Sequence, residues 1–249
     1  MSYENILKIN GIPIDELGIL MTHPGMRVSA PEAITKFQRV PGSTMLVDTT
    51  LRDEDGNAPL KERTVTISLC TIGYVEDISS LQRKLAALTG SISTVQFAYE
   101  PCWQGFIQFK NWKPIYVYGT TAKYSFDLVM IAAPLAYGDT KVIAVGGETD
   151  FTVEGDRPCW AKFDLRVSDT SVLIATTESV KMLSFTGLVD GGHLIIDMAP
   201  QTRVVKLNGN IIVPSLQSDF FPLSTGLNHV SITGATGTMS FTPLYVYGE

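Results

Sequence analysis

Residues 161–167 read AKFDLRV, with Ala161, Phe163, Leu165 and Val167 on one parity and Lys162, Asp164 and Arg166 on the other. A period of two sends these sets to opposite faces of an extended chain, so the segment predicts a half-buried β-strand. The texture persists to the C-terminus in SVLIATT, KMLSFTG, HLIIDM, RVVKLNGNIIV, NHVSITG and GTMSFTPLYVY, each run broken by Gly, Asn, Pro or Asp. Asn208-Gly209 suits the two left-handed positions of a type I′ hairpin turn. Short strands at this spacing predict an all-β sandwich over residues 141–249.

The first 140 residues differ. ILKINGIPI predicts a hairpin turning at Asn10-Gly11. DISSLQRKLAALTG places Ile78, Leu81, Leu85 and Leu88 on one helical face, with Asp77 or Ser79 as a start cap and Gly90 at the end. The strands STVQFAYE, GFIQFKNW, PIYVYG and YSFDLVMIAAP follow. Before the helix, AITKFQRVPGSTMLVD and TVTISLCTI flank the polar stretch TTLRDEDGNAPLKER. They predict one long hairpin arm with its tip near Asp53–Pro59. The fold class is therefore mainly β: an α+β N-terminal domain, 1–140, with one helix on a sheet and a long arm, then the sandwich.

Composition narrows the function. With 45% hydrophobic and 18% charged residues among 249, the chain is rich enough for a packed core. A formal net charge of −6 argues against a nucleic-acid grip, which needs a basic face. Cys70, Cys102 and Cys159 are odd in number and widely spaced, which predicts no disulfide framework. No apolar run reaches the roughly 20 residues that span a bilayer, and the N-terminus lacks signal-peptide texture.

Catalytic signals are sparse. His23, His193 and His229 show no metal-ligand spacing, and nucleophile-elbow and phosphate-loop motifs are absent. No metal or cofactor is expected, and no catalytic residue. DEDGN, Asp53–Asn57, begins like a calcium loop, yet Ala58 and Thr64 stand where the loop needs Gly and Glu. Arg52, Asp53, Glu54, Asp55 and Asn57 are instead candidate contacts of a solvated tip with another chain. Trp103, Trp160, Phe220 and Phe221 are candidate ligand-stacking or packing aromatics. Of the adjacent pair in SDFFPLSTG, one ring is expected in the core and the other at a corner.

The same residues resemble, in order, the distal tail proteins (Dit) of long-tailed bacteriophages. KINGIPIDELGIL resembles the family's opening strand and LG turn, and FQRVPGSTMLVD its VPG strand. LKERTVTISL resembles the partner strand, LQRKLAALTG the single helix, YEPCWQGFI the P-W-G stretch, and FDLVMIAAPLAYG the closing strand. The run from His193 to Gly234, with SDFF in it, resembles the family's galectin-like sandwich. Ser43 departs from the Arg often found after VPG, and Cys102-Trp103 from an acidic pair.

The resemblance implies a structural virion protein. It would form a homo-hexameric ring joining the tail tube protein to the hub, or tail-associated, protein at the tail tip. The tape-measure protein would be a neighbour, receptor-binding proteins a possible cargo, and DNA would only pass through the lumen. Assembly would take place in the host cytoplasm. Two other classes remain open on the residues themselves: a carbohydrate-binding module using the aromatics, and a hydrolase using scattered carboxylates.

Overall fold

The computed structural model describes residues 7–42, 44–52, 56–72, 78–98, 100–117, 120–176 and 181–246. It divides into two compact units, one running to Ala136 and the other Tyr137–Tyr245.

The first unit is built on a seven-stranded antiparallel sheet in the order β2-β1-β7-β8-β9-β6-β3. Its strands are β1 (Leu7–Ile9), β2 (Ile12–Pro13), β3 (Ile19–Val28), β6 (Arg63–Thr71), β7 (Ile92–Phe97), β8 (Trp103–Val117) and β9 (Thr120–Ala132). The β1–β2 turn holds Asn10 at φ 53° and Gly11 at φ 77°, the two positive values that a type I′ turn requires. In β6, Val65, Ile67 and Leu69 are fully buried; in β9, Phe126, Leu128 and Met130 are buried on the same period of two. Helix α1 (Ile78–Ala86) lies against β8 and buries Leu85. Ser79 sits inside this helix, where its carbonyl accepts from Arg83 Nε, so it is not the cap. Asp77 falls outside the described residues.

GFIQFKNW and PIYVYG are two strands by sequence, but the first and the described part of the second, Pro114–Val117, belong to one strand. β8 continues past a register shift between Lys110 and Lys113, with Asn111 at φ 58°. The extra residues are absorbed as a bulge, so pairing with β9 resumes beyond it.

The long arm is also corrected. AITKFQRVPGSTMLVD closes on itself as a ribbon of β4 (Phe37–Arg39) and β5 (Leu46–Asp48), pairing Phe37 with Asp48 and Arg39 with Leu46. Gly42, at φ 77°, lies in its turn. β6 does not pair with the ribbon; it sits between β3 and β9. The reason is burial, because Val65, Ile67 and Leu69 on the inward parity of β6 form an apolar face that the main sheet covers. The ribbon is tied at its base by Ala33–Leu60 bridging, by Ile34 N–H to Pro59 O (2.7 Å) and by Thr49 N–H to Lys36 O (2.8 Å).

The second unit is the sandwich. Its main sheet runs β14-β13-β18-β12-β15-β16-β17, with β11 pairing on β18. The strands are β11 (Lys141–Val153), β12 (Ala161–Val167), β13 (Ser171–Thr176), β14 (Met182–Thr186), β15 (His193–Asp197), β16 (Val204–Leu207), β17 (Asn210–Ile211) and β18 (Gly226–Phe241). Two short strands, β10 (Ala136–Tyr137) and β19 (Leu244–Tyr245), lie near its ends in sequence. β12 alternates buried and exposed without a break. Phe163, Leu165, Ile174, Phe185, Ile196, Phe221, Val230 and Met239 close one core. Asn208 (φ 50°) and Gly209 (φ 83°) make the β16–β17 turn.

NHVSITG and the opening GTMSF of GTMSFTPLYVY, read as separate runs, belong to the single strand β18. It pairs with β13 through Val230–Thr233, with β12 through Ala235–Phe241, and with β11 along both halves. Gly234 and Gly237 make this possible, since a Cβ on either would fall 2.0 Å from Ser171 O and 2.2 Å from Asp164 O respectively.

All three cysteines are free thiols. Burial pushes the Cys159 thiol up to about 11, which keeps it protonated and unreactive at neutral pH. Iodoacetamide at pH 8 is therefore expected to modify half-buried Cys70 and Cys102 well before Cys159 in the native protein. Equal rates, read by peptide mass spectrometry, would contradict this burial.

Candidate functional site

The arm exposes apolar side chains that a monomer has no use for. Every residue of β4 and β5 is exposed, including Phe37 at 58% and Leu46 at 60%. Met45, Val47 and Leu51 are exposed as well, with Val47 on the opposite face of the ribbon from Phe37 and Leu46. A two-stranded ribbon without a covering layer is marginally stable in water, and clustered exposed apolar residues mark a contact surface.

Beside the ribbon, Asp48, Thr50 and Arg52 are joined by hydrogen bonds. Thr50 N–H donates to Asp48 Oδ1 (2.9 Å), while Arg52 Nη2 donates to Asp48 Oδ2 (2.6 Å) and Arg52 Nη1 to Gly56 O (3.0 Å). The Thr50 side chain and backbone N–H, then Arg52, lower the Asp48 carboxyl to about 2. A depressed folded value means that this carboxylate favours the turn above its unfolded pKa, and the benefit is lost as pH falls through about 2. Thr50→Val is expected to move the Asp48 midpoint, followed by carboxyl NMR, back toward 3.8, and Arg52→Ala to move it less. A midpoint still near 2 in Thr50→Val would contradict the assignment. Of the other tip candidates, Asn57 is half-buried, whereas Asp53, Glu54 and Asp55 fall outside the described residues.

Of the four aromatics, two are interior. Trp103 is 1% exposed and Phe221 fully buried. Over the Trp103 ring, at 5.4 Å from its centroid, lies the guanidinium of Arg63, itself 1% exposed. Arg63 Nε and Nη2 both donate to Ser29 O, and burial lowers its pKa. Its parity with Val65 and Ile67 was the sequence signal that it points inward.

Trp160 and Phe220 are half-buried and flank one side chain that the sequence did not mark. The Arg203 guanidinium lies 4.5 Å from the Phe220 centroid and 5.8 Å from that of Trp160. Local pairing brings these residues together. Cys159 and Leu223 exchange two backbone hydrogen bonds of 3.1 and 2.7 Å, which sets Trp160 beside the segment carrying Phe220. Met198 N–H donates to Ala161 O (3.1 Å), and a turn from Ala199 to Thr202 delivers Arg203 to the rings. Because the guanidinium already covers ring faces, a sugar ring would have to displace it to stack there.

The polar chemistry elsewhere is cross-strand pairing. His193 Nε2 meets Asp164 Oδ1 at 2.6 Å, and His229 Nδ1 meets Asp150 Oδ1 at 2.5 Å. His229 and Asp150 are direct register partners on β18 and β11, the usual setting for a side-chain pair on a sheet. Among the described residues, no group of three or more His, Cys, Asp or Glu converges as a metal site would require.

Comparison with known proteins bears on the whole chain. Residues 154–245 match the family model described as siphovirus-type tail component, C-terminal domain. No curated protein matches. The crystal structure of the Dit (gp 19.1) protein of phage SPP1 is similar in fold, with a TM-score of 0.66 at 17% identity, over 96% of this chain and 98% of that one. That protein is described as a paradigm of the hub adsorption apparatus in phages infecting Gram-positive hosts. A chain of the phage p2 baseplate in its activated conformation with Sr aligns over 89% of this chain and 91% of that one, at 10% identity and a TM-score of 0.41.

Proposed function

We propose that this chain, whose C-terminal domain is a siphovirus-type tail component and whose fold is that of a distal tail protein, is the ring subunit of a phage tail tip. The observation that carries this reading is the coincidence of the family match over the sandwich with a fold match reaching 98% of the SPP1 protein. At the level of class, it is a Dit-like structural protein of the hub or baseplate.

In this reading residues 1–140 build a homo-hexameric ring between tail tube and hub, and residues 141–249 are the sandwich domain of the same subunit. The tape-measure protein would be a neighbour, and receptor-binding proteins would attach to the ring. The exposed ribbon supports a subunit contact. Heterologous contact between different patches closes into a ring when the rotation is right, and the exposed Phe37, Leu46 and Val47 of β4–β5 offer apolar area for such a contact. The net charge of −6 suits a subunit past which DNA slides, since positive charge would add phosphate binding.

Gold-labelled antibody against this chain is expected to decorate assembled virions at the tail tip. Label along the tail tube or on the capsid, or none on intact virions with accessible tips, would contradict the reading. A carbohydrate-binding reading has less support, because Arg203 occupies the faces of the two half-buried rings and Trp103 lies in the interior.

A further inference from the structure

We propose that the Trp160–Arg203–Phe220 stack is a receptor for a single carboxylate presented by a protein partner. Arg203 is exposed, yet among the described residues it makes only ring contacts, with no hydrogen bond or ion pair. The rings attract the guanidinium through cation–π contact. Its N–H donors have no protein partner among the described residues. A held planar fork with unused donors matches the two oxygens of a carboxylate in a bidentate pair. Holding it in place beforehand also lowers the ordering cost that a free arginine meets on binding.

The surroundings select the bearer of that carboxylate. A polyanion needs several cations to release its counterions, and this chain carries a net charge of −6. A saccharide needs an open aromatic face or a ring of convergent polar groups, and here the guanidinium lies on the faces. The nearby carboxylate of Asp197 is engaged with its own turn, accepting from Ala199 N–H at 3.1 Å. One Asp or Glu side chain on a protein surface needs none of these extra groups.

The test is side-chain NMR of the full chain, following Arg203 Nε–Hε. The titrants are a short end-capped peptide carrying one glutamate, the same peptide with glutamine, glucuronic acid and inorganic phosphate. The Glu peptide is expected to shift the signal saturably and the Gln peptide not at all. Glu-peptide binding by R203Q or R203K, read by isothermal titration calorimetry beside the unsubstituted chain, should weaken about tenfold, the scale of one charge-assisted bidentate pair, with unchanged thermal unfolding. Absence of a saturable Arg203 shift, or undiminished binding by R203Q, would overturn the proposal. Glucuronate or phosphate binding as tightly as the Glu peptide would overturn the protein carboxylate and leave a general oxyanion site.

Discussion

Phe221→Ala is expected to lower the unfolding free energy of the sandwich by about 3–5 kcal/mol, the scale for removing a buried phenylalanine ring. Phe221 is fully buried in a core shared with Phe163, Phe185 and Leu223. Truncation removes its contacts and leaves a cavity that neighbouring strands, fixed by their pairing, fill poorly. Phe220→Ala removes a half-buried ring and its contact with Arg203, for about 1 kcal/mol. Denaturant unfolding of the two variants reads the contrast. Equal and small effects would show that the corner is not packed as described. SDFFPLSTG thus resolves into one ring for the core and one for Arg203.

Gly234→Ala is expected to be comparably damaging for a different reason. Gly234 adopts φ +79°, and a Cβ there would lie 2.0 Å from Ser171 O. The backbone preference costs about 1–2 kcal/mol, and the forced separation from the start of β13 adds about 1–3 kcal/mol. A mutation at Gly209 separates the two causes. It shares a positive φ, at +83°, but has open space where the Cβ would go, so Gly209→Ala should cost only the backbone part. A Gly234→Ala variant no less stable than Gly209→Ala would contradict the close approach of β18 to the start of β13.

The sandwich was largely legible because period-two alternation is a geometric property of extended chain. Ala161, Phe163, Leu165 and Val167 point inward because they share parity, whatever the strand pairs with. Asn208-Gly209 was legible for an equally local reason. Pairing partners were not. Gly234 and Gly237 look like turn residues in sequence, yet they serve close backbone approach inside a strand. Likewise, the apolar residues of AITKFQRV and TMLVD suggested a long arm with β6, whereas Pro41-Gly42 lets them fold on each other. The Arg203 stack was invisible for a related reason. Residues 160, 203 and 220 meet through the Cys159–Leu223 bridge and the Ala199–Thr202 turn, and no sequence spacing encodes either.

Assembly into a ring has a direct measurement. Electron microscopy and light scattering of the full-length protein, alone and mixed with tail tube and hub proteins, should reveal a closed ring with the mass of six chains. Charged substitutions on the exposed ribbon, such as Phe37→Asp with Leu46→Lys, should dissolve that ring while leaving the subunit folded, because neither side chain is part of a core. A strict monomer at high concentration that forms no ring with its tail partners would contradict the central claim.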